Sequence, residues 1–257
     1  MSKIPENRNF MKCPVFSDGM KKSDQHNGVP HPIHCHPPKG ELIKLAPFDA
    51  AICVDDSYQS LLDTRRSLRQ YDPEAVMAQE QLAFMLWSAQ GVQSYRGVGN
   101  IATLRPAPSG GARHPFELYA AVRNVAGLDE GIYRYVPTEN IGEKQVSVER
   151  VGGFENYAEQ LTAMVAGQKW AADAPVVLFL SCVPYRAEWR YHEMAHRVVL
   201  IDLGHVGQNI MLSAVALGLG SCCMAAFSQK TSDEVIGLDG VDEYVVYAVS
   251  VGAELRK

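Results

Sequence analysis

The run Pro175-Val176-Val177-Leu178-Phe179-Leu180-Ser181 constrains the fold of this chain more than any other stretch. Its apolar residues follow one another without polar alternation. As a strand it is buried on both faces, which places it inside a sheet covered on each side. Residues 192–217 read as one long helix and residues 244–251 as a further strand. Residues 116–122 have strand composition, residues 131–136 follow as their hairpin partner, and residues 145–151 alternate apolar and polar as another strand. Residues 79–90 read as a helix with Leu82, Met85, Leu86 and Ala89 on one face and Gly91 as its stop, and residues 154–168 as a second. Helices and strands mix without strict βαβ alternation, which predicts an α+β fold rather than a doubly wound parallel sheet.

Residues 1–40 differ in composition from all that follows. They are rich in Pro, Gly, Lys and His, show no apolar period and end in His34-Cys35-His36-Pro37-Pro38-Lys39-Gly40. This predicts an N-terminal arm, extended or partly disordered, ahead of a globular domain over residues 41–257. His26, His31, His34, Cys35 and His36 are metal-ligand types. The prolines hold this chain extended, however, and no second cluster completes a recognised spacing, so no metal site is expected. A net charge of −5 leaves no dominant basic surface and argues against nucleic-acid binding. No apolar core with a cleavage site is visible near Met1, and the apolar stretch 198–219 is interrupted by Asp202, His205, Gln208 and Asn209. Neither a secretory signal nor a membrane span is expected. The six cysteines lack disulfide-framework spacing, which predicts reduced thiols and the cytoplasm.

The chemistry-bearing segments begin with Arg65-Arg66-Ser67-Leu68-Arg69, directly behind a short helical run. Three guanidiniums in five residues repel one another unless an anion shares them, and their planar fork of donors matches phosphate. A solvated basic helix end is the alternative. The segment Pro106-Ala107-Pro108-Ser109-Gly110-Gly111-Ala112-Arg113-His114-Pro115 ends where a strand begins, and its glycines let backbone approach a flat ligand. By itself it reads equally as an ordinary turn rich in Pro and Gly. It is neither a Walker loop nor a dinucleotide fingerprint. On the long helix, Asp202, His205 and Asn209 fall on one face with Gln208 beside them, and His205 is expected to be a satisfied core histidine. Cys222-Cys223 is expected to be a pair of buried, inert thiols. No Gly-x-Ser-x-Gly elbow is present.

In order along the chain, these segments resemble the FMN-dependent nitroreductase superfamily. The resemblance rests on Arg65-Arg66-Ser67-Leu68-Arg69-Gln70-Tyr71, Leu86-Trp87-Ser88-Ala89-Gln90-Gly91, Pro108-Ser109-Gly110-Gly111-Ala112-Arg113-His114-Pro115, Gly131-Ile132-Tyr133-Arg134-Tyr135 and Asp202-Leu203-Gly204-His205-Val206-Gly207-Gln208-Asn209. It covers about residues 41–257 and points to the branch that includes the azoline (thiazoline and oxazoline) oxidases. It implies an α+β fold with a central, mostly antiparallel sheet flanked by helices, and a homodimer binding FMN in an extended subunit interface. By similarity, Arg65, Ser67 and Arg69, with Arg66 close by, hold the phosphate and ribityl chain. Pro108, Ser109 and Gly110 pack along the isoalloxazine, and Gln208 reaches the cofactor. Ala225 presents a backbone donor, and Arg256 supplies a C-terminal phosphate contact.

Two departures accompany the resemblance. Many nitroreductases carry an Asn followed by Gln-Pro where this chain has Ala112-Arg113-His114-Pro115. Azoline oxidases resemble one another in a Lys-Tyr pair before the long helix, whereas this chain has no lysine between Trp170 and Gln229. Tyr185 and Tyr191 are the remaining candidate acids there. The resemblance therefore implies a flavin enzyme that passes hydride from NAD(P)H to a small flat electrophile, such as a nitroaromatic, a quinone or an activated alkene, in a ping-pong cycle. The alternatives are oxidation of a C–N or C–C bond in the manner of azoline oxidases, or a flavin-binding protein without catalysis.

Overall fold

The computed structural model describes residues 3–12 and 20–255. Nine strands are found there: β1 (Leu42–Lys44), β2 (Ser94–Arg96), β3 (Ala102–Leu104), β4 (Phe116–Val122), β5 (Gly131–Tyr135), β6 (Ser147–Gly152), β7 (Val176–Cys182), β8 (Gly220–Met224) and β9 (Tyr244–Gly252). Seven form one sheet in the order β1-β6-β5-β4-β7-β9-β8, with β2 and β3 as a separate hairpin. Every pairing in the large sheet is antiparallel.

The apolar run is its centre. All seven residues of β7 are buried, as are all seven of β4 beside it. Side chains on a strand alternate between faces. Leu178, Leu180, Leu118 and Ala120 accordingly join one core, while Val177, Phe179, Tyr119 and Ala121 join the other. The first core is closed by the helix Gln79–Gln90 and the long helix Ala195–Ala216, the second by the helices Tyr157–Met164 and Gln229–Ile236. Each fully buried large apolar side chain contributes roughly 1.5–3 kcal/mol, so the two cores rather than any polar contact fix the sheet.

Several boundaries differ from the sequence-based expectation for local reasons. The helix expected over 154–168 is shorter, capped by Asn156 and ended by Ala166 and Gly167 at φ +53° and +85°. The long helix is preceded by a separate helix, Tyr185–Tyr191, because the chain turns at His192 (φ +49°). By length and composition the stretch Tyr185–Ala216 could cross a membrane. Here Val199, Leu203, Val206, Ile210 and Ala214 pack into the first core.

The N-terminal arm contains a helix, Ile4–Met11, none of whose residues is buried. Its second half is fastened to the sheet. Glu117 accepts from the backbone of His36 at 2.9 Å and ion-pairs with Arg186 and Arg134 at 2.5 and 3.3 Å. Glu149 pairs with Arg134 at 2.5 Å and accepts from the backbones of Lys39 and Gly40. Arg134 donates onward to the carbonyls of His36 and Pro37, and Arg105 donates to that of His34. The arm's histidines make similar local contacts: His34 reaches the carbonyl of Asn100 and His36 the carboxylate of Glu243. Cys35 is buried beside Glu117, and burial followed by that charge pushes its thiol up to about 12.

Candidate functional site

In Arg65-Arg66-Ser67-Leu68-Arg69-Gln70-Tyr71 the apolar residues hold the segment and leave the cations outside. Tyr71 is 2% exposed and its hydroxyl is hydrogen-bonded with the Ser250 hydroxyl at 2.8 Å. Leu68 donates its backbone N–H to Ser221 at 2.9 Å, and Ser67 bridges the same residue in parallel. Leu68 also lies against Gly220, where a Cβ would meet its Cδ2 at 2.4 Å, so only glycine permits this approach. The segment thereby runs beside β8, the sheet's edge strand. Arg66 and Arg69 are exposed and Arg65 is half-buried. Arg66 donates to the carbonyl of Arg65, and Arg69 lies 5.8 Å from the Trp170 ring. Among the described residues none of the three forms an ion pair.

Strand β8 itself was not legible as a strand, because glycine, serine and cysteine carry little strand signal. Pairing with β9 makes it one. Cys222 is buried and Cys223 half-buried, and both are free thiols. Burial raises both, Cys223 to about 11, so they stay protonated near neutral pH. Ala225 follows the strand and is exposed. The last described residue, Leu255, donates its backbone N–H to the carbonyl of Gln70 at 3.0 Å, beside the arginine segment. Arg256 and Cys13 lie outside the described residues.

The second assembly is the loop after Pro108. Asp202, 3% exposed on the long helix, accepts from the Ser109 hydroxyl at 2.6 Å and from the Gly110 N–H at 3.0 Å. The Ser109 hydroxyl in turn accepts from the backbone of His114 at 2.9 Å. This brace holds Gly111, Ala112 and His114 at φ +57°, +53° and +44°. Such conformations cost of order 1–3 kcal/mol for residues with a Cβ and concentrate at functional sites. His114 donates from Nε2 to the carbonyl of Thr103, and burial drives its imidazole down to about 2. For Asp202 burial pushes the carboxyl up, and the bonds from Ser109 and Gly110 only partly offset that. The side chain of Ser109 is thus spent on shaping its own loop.

The two candidate tyrosines separate. Tyr191 is buried against this loop, its hydroxyl 2.6 Å from where a Gly111 Cβ would stand. Tyr185 is 43% exposed and donates to Asp24 at 2.8 Å, on the arm's side. Gln208 is half-buried midway along the long helix. Asn209 donates to the carbonyl of Ser88. His205 is exposed, which corrects the expectation of a core histidine: one residue in three along that face has turned outward.

One motif escaped the sequence analysis. His192-Glu193-Met194-Ala195-His196 has the His-Glu-x-x-His order of zinc proteases. That chemistry needs both imidazoles on one continuous helix face, and the chain breaks at His192. His196 is held by Glu188 at 2.8 Å, and among the described residues no three His, Cys, Asp or Glu could hold a metal. A cavity of about 600 Å³ lies elsewhere, between the arm and β6, lined by residues such as Lys39, Arg150 and Glu243. None of the expected site residues lines it.

Comparison with known proteins supplies the frame for these two assemblies. Residues 62–253 match the Nitroreductase family. A nitroreductase-family protein of Methanocaldococcus jannaschii is 32% identical over 198 residues, 77% of this chain and 91% of that one. The trifolitoxin-processing protein TfxB of Rhizobium leguminosarum is 29% identical over 149 residues, covering 57% of this chain and 39% of its own. Among solved structures, a chain of the Escherichia coli microcin synthetase McbBCD complex, bound to a truncated pro-MccB17, superposes with a TM-score of 0.60 at 19% identity. It covers 79% of this chain and 75% of that one, and the likeness is one of fold. This chain belongs to the nitroreductase family.

Proposed function

We propose that this protein is an FMN-dependent oxidoreductase that works as a homodimer. The observation that carries the reading is the trio Arg65, Arg66 and Arg69, held along β8 by Leu68 and Tyr71 with no carboxylate partner among the described residues. Cations left this way suit a phosphate dianion. Arg65, Ser67 and Arg69 hold the phosphate and ribityl chain, and Arg256 adds a contact from the chain end. Pro108, Ser109 and Gly110 border the flat ring, Gln208 lies toward it, and Ala225 offers a backbone donor. When bound, FMN supplies two-electron redox chemistry, with NAD(P)H as donor and a small flat electrophile as acceptor.

The spacing supports a pair of copies. The loop at Ser109 docks at Asp202, whereas the arginine segment docks at Ser221, beyond the end of the long helix. From Asp202 to Ala216 the helix rises about 21 Å at roughly 1.5 Å per residue. Within one chain the two assemblies therefore sit toward opposite ends of that helix. A second copy laid antiparallel along it brings the loop of one against the arginines of the other. Leu200 and Ile201 on the helix are 54% and 48% exposed, and beside Gly204 a Cβ would meet nothing, as an interface still to be covered requires.

A second reading within this class has its own support. Tyr191 stands at the loop, and the similar proteins include a trifolitoxin-processing protein, TfxB, and a chain of a microcin synthetase complex, McbBCD. Tyr191 would then handle a proton during oxidation of a C–N or C–C bond. The test of the main reading is the visible spectrum of the purified protein with chromatography of the heat-released chromophore. FMN at stoichiometry with the subunits is expected, and Arg65→Ala is expected to lower FMN occupancy and affinity. Wild-type occupancy in that variant would sink the phosphate assignment.

A further inference from the structure

Of the buried arginines under the arm, Arg105 donates to Thr103, Gln90 and the His34 carbonyl. The other two have carboxylates: Arg186 takes Glu117, although its Nε and Nη1 are buried without a partner, and Arg134 takes Glu117 and Glu149. Two arginines beside the Ser109 loop have none among the described residues. Arg113 is 3% exposed, lies 5.0 Å from the Trp189 ring, and donates from Nη2 alone, to the carbonyls of Ile101 and Ala112. Its Nε and Nη1 are buried without a partner. Arg190 is half-buried, lies 5.7 Å from the Tyr191 ring, and its Nε is likewise buried without a partner. The two guanidiniums also work against each other. Burial, and then the charge of Arg190, hold Arg113 down to about 10.

The loop's own carboxylate cannot relieve them, because Asp202 is taken by Ser109 and Gly110. Gly111 lies against both partners. A Cβ there would meet Arg190 Cδ and Nε at 2.5 Å and Tyr191 Oη at 2.6 Å, so the absence of a side chain is what lets Arg190 lie over the loop. Buried donors on like charges are costly until an anion completes them. Charge-assisted bonds to an oxyanion are the strongest such completion.

We infer that Arg113 and Arg190 form an oxyanion site that holds a carboxylate or phosphate of the substrate beside the Ser109–Gly110 loop. This rests on the reading that the loop borders the flavin, and it narrows the acceptor from any flat electrophile to an anionic one. Arg190 is the entry side. An incoming oxyanion draws it off the Tyr191 ring and reaches the inner donors of Arg113. Neutral flat molecules gain nothing from the pair and leave its donors unpaired.

The experiment is calorimetric titration of the purified protein, its FMN content measured beforehand, with benzoate, phenyl phosphate and benzamide. At least one anion is expected to bind about tenfold or more tightly than benzamide, and the better of the two names the group. Arg190→Gln is expected to remove that preference while FMN occupancy and benzamide binding stay unchanged, with Arg190→Lys intermediate because it keeps charge without the fork. Should Arg113→Gln fail to fold, the half-exposed Arg190 still decides the matter. Equal binding of benzoate, phenyl phosphate and benzamide overturns the site, as does an undiminished preference in Arg190→Gln. Loss of FMN from folded Arg190→Gln also overturns it, since the pair would then hold cofactor. A colourless wild-type protein with an Arg190-dependent anion preference would keep the site and remove the flavin reading.

Discussion

Under the N-terminal arm, Arg134 and Arg186 pair with carboxylates, while beside β8 Arg65, Arg66 and Arg69 pair with none among the described residues. Both regions carry clustered guanidiniums, yet only one is electrically closed. Burying a guanidinium is tolerated when the protein itself supplies the anion. The row Glu117, Arg134, Glu149 crosses β4, β5 and β6, each strand contributing one member, and the arm closes over it with its backbone. The cations at β8 are instead left facing outward by the burial of Leu68 and Tyr71. The comparison teaches that the first region is built for the fold and the second for something that arrives.

The hardest way to break the closed region is to remove its shared anion. Burial pushes the Glu117 carboxyl up, but Arg186 and Arg134 outweigh it and hold the group below its ordinary range, so it is ionised at neutral pH. Glu117→Gln keeps the shape and leaves two buried guanidiniums without their common charge. We expect a loss of about 3–5 kcal/mol of unfolding free energy in urea titration, the cost of breaking one side of a buried pair. A loss under about 1 kcal/mol would mean that water compensates these arginines, and the distinction between the regions would fall.

How far the two regions could be read from the chain also differs. The strands β4 and β7 are legible because burial on both faces leaves an unbroken apolar composition, and Gln79–Gln90 is legible from its period and from Gly91. The arginine segment is legible because three cations fall within five residues. The closed region is not, since Glu117, Arg134, Glu149 and Arg186 look like ordinary surface charges until strand pairing aligns them. The brace on the loop is equally hidden: Ser109 and Asp202 are separated by 93 residues. The helix Gln229–Ile236 carried a usable signal in Ser228, which caps it by accepting from Thr231, and in Gly237, which ends it at φ +86°.

His114, on the Ser109 loop, should have a smaller effect than Glu117. Its imidazole is 4% exposed and lowered to about 2, burial being the largest cause and Arg105 the next. The unfolded chain takes up a proton near pH 6.5 that the folded chain refuses, so stability falls as pH drops through that range. From pH 7 to pH 5 the loss from this one group is about 2 kcal/mol. His114→Asn, which tolerates the positive φ, is expected to remove that part of the slope. An unchanged pH dependence of the urea midpoint would show that the imidazole is hydrated in the folded state.

The smallest stability effect should come from the open region. Arg65 contributes its backbone N–H to the carbonyl of Leu61 at the end of the helix Tyr58–Thr64, and alanine keeps that bond. Its guanidinium has no anion to lose. Arg65→Ala is therefore expected to shift the unfolding free energy by no more than about 0.5 kcal/mol when both proteins are compared without cofactor. Adding FMN changes the comparison, because a ligand that binds only the folded state stabilises it by RT ln(1 + c/Kd), where c is the free FMN concentration. Wild type should then rise in Tm with FMN concentration and the variant should lag behind. A variant that is destabilised without FMN would show that Arg65 serves the fold after all. One that rises in step with wild type would place the phosphate elsewhere.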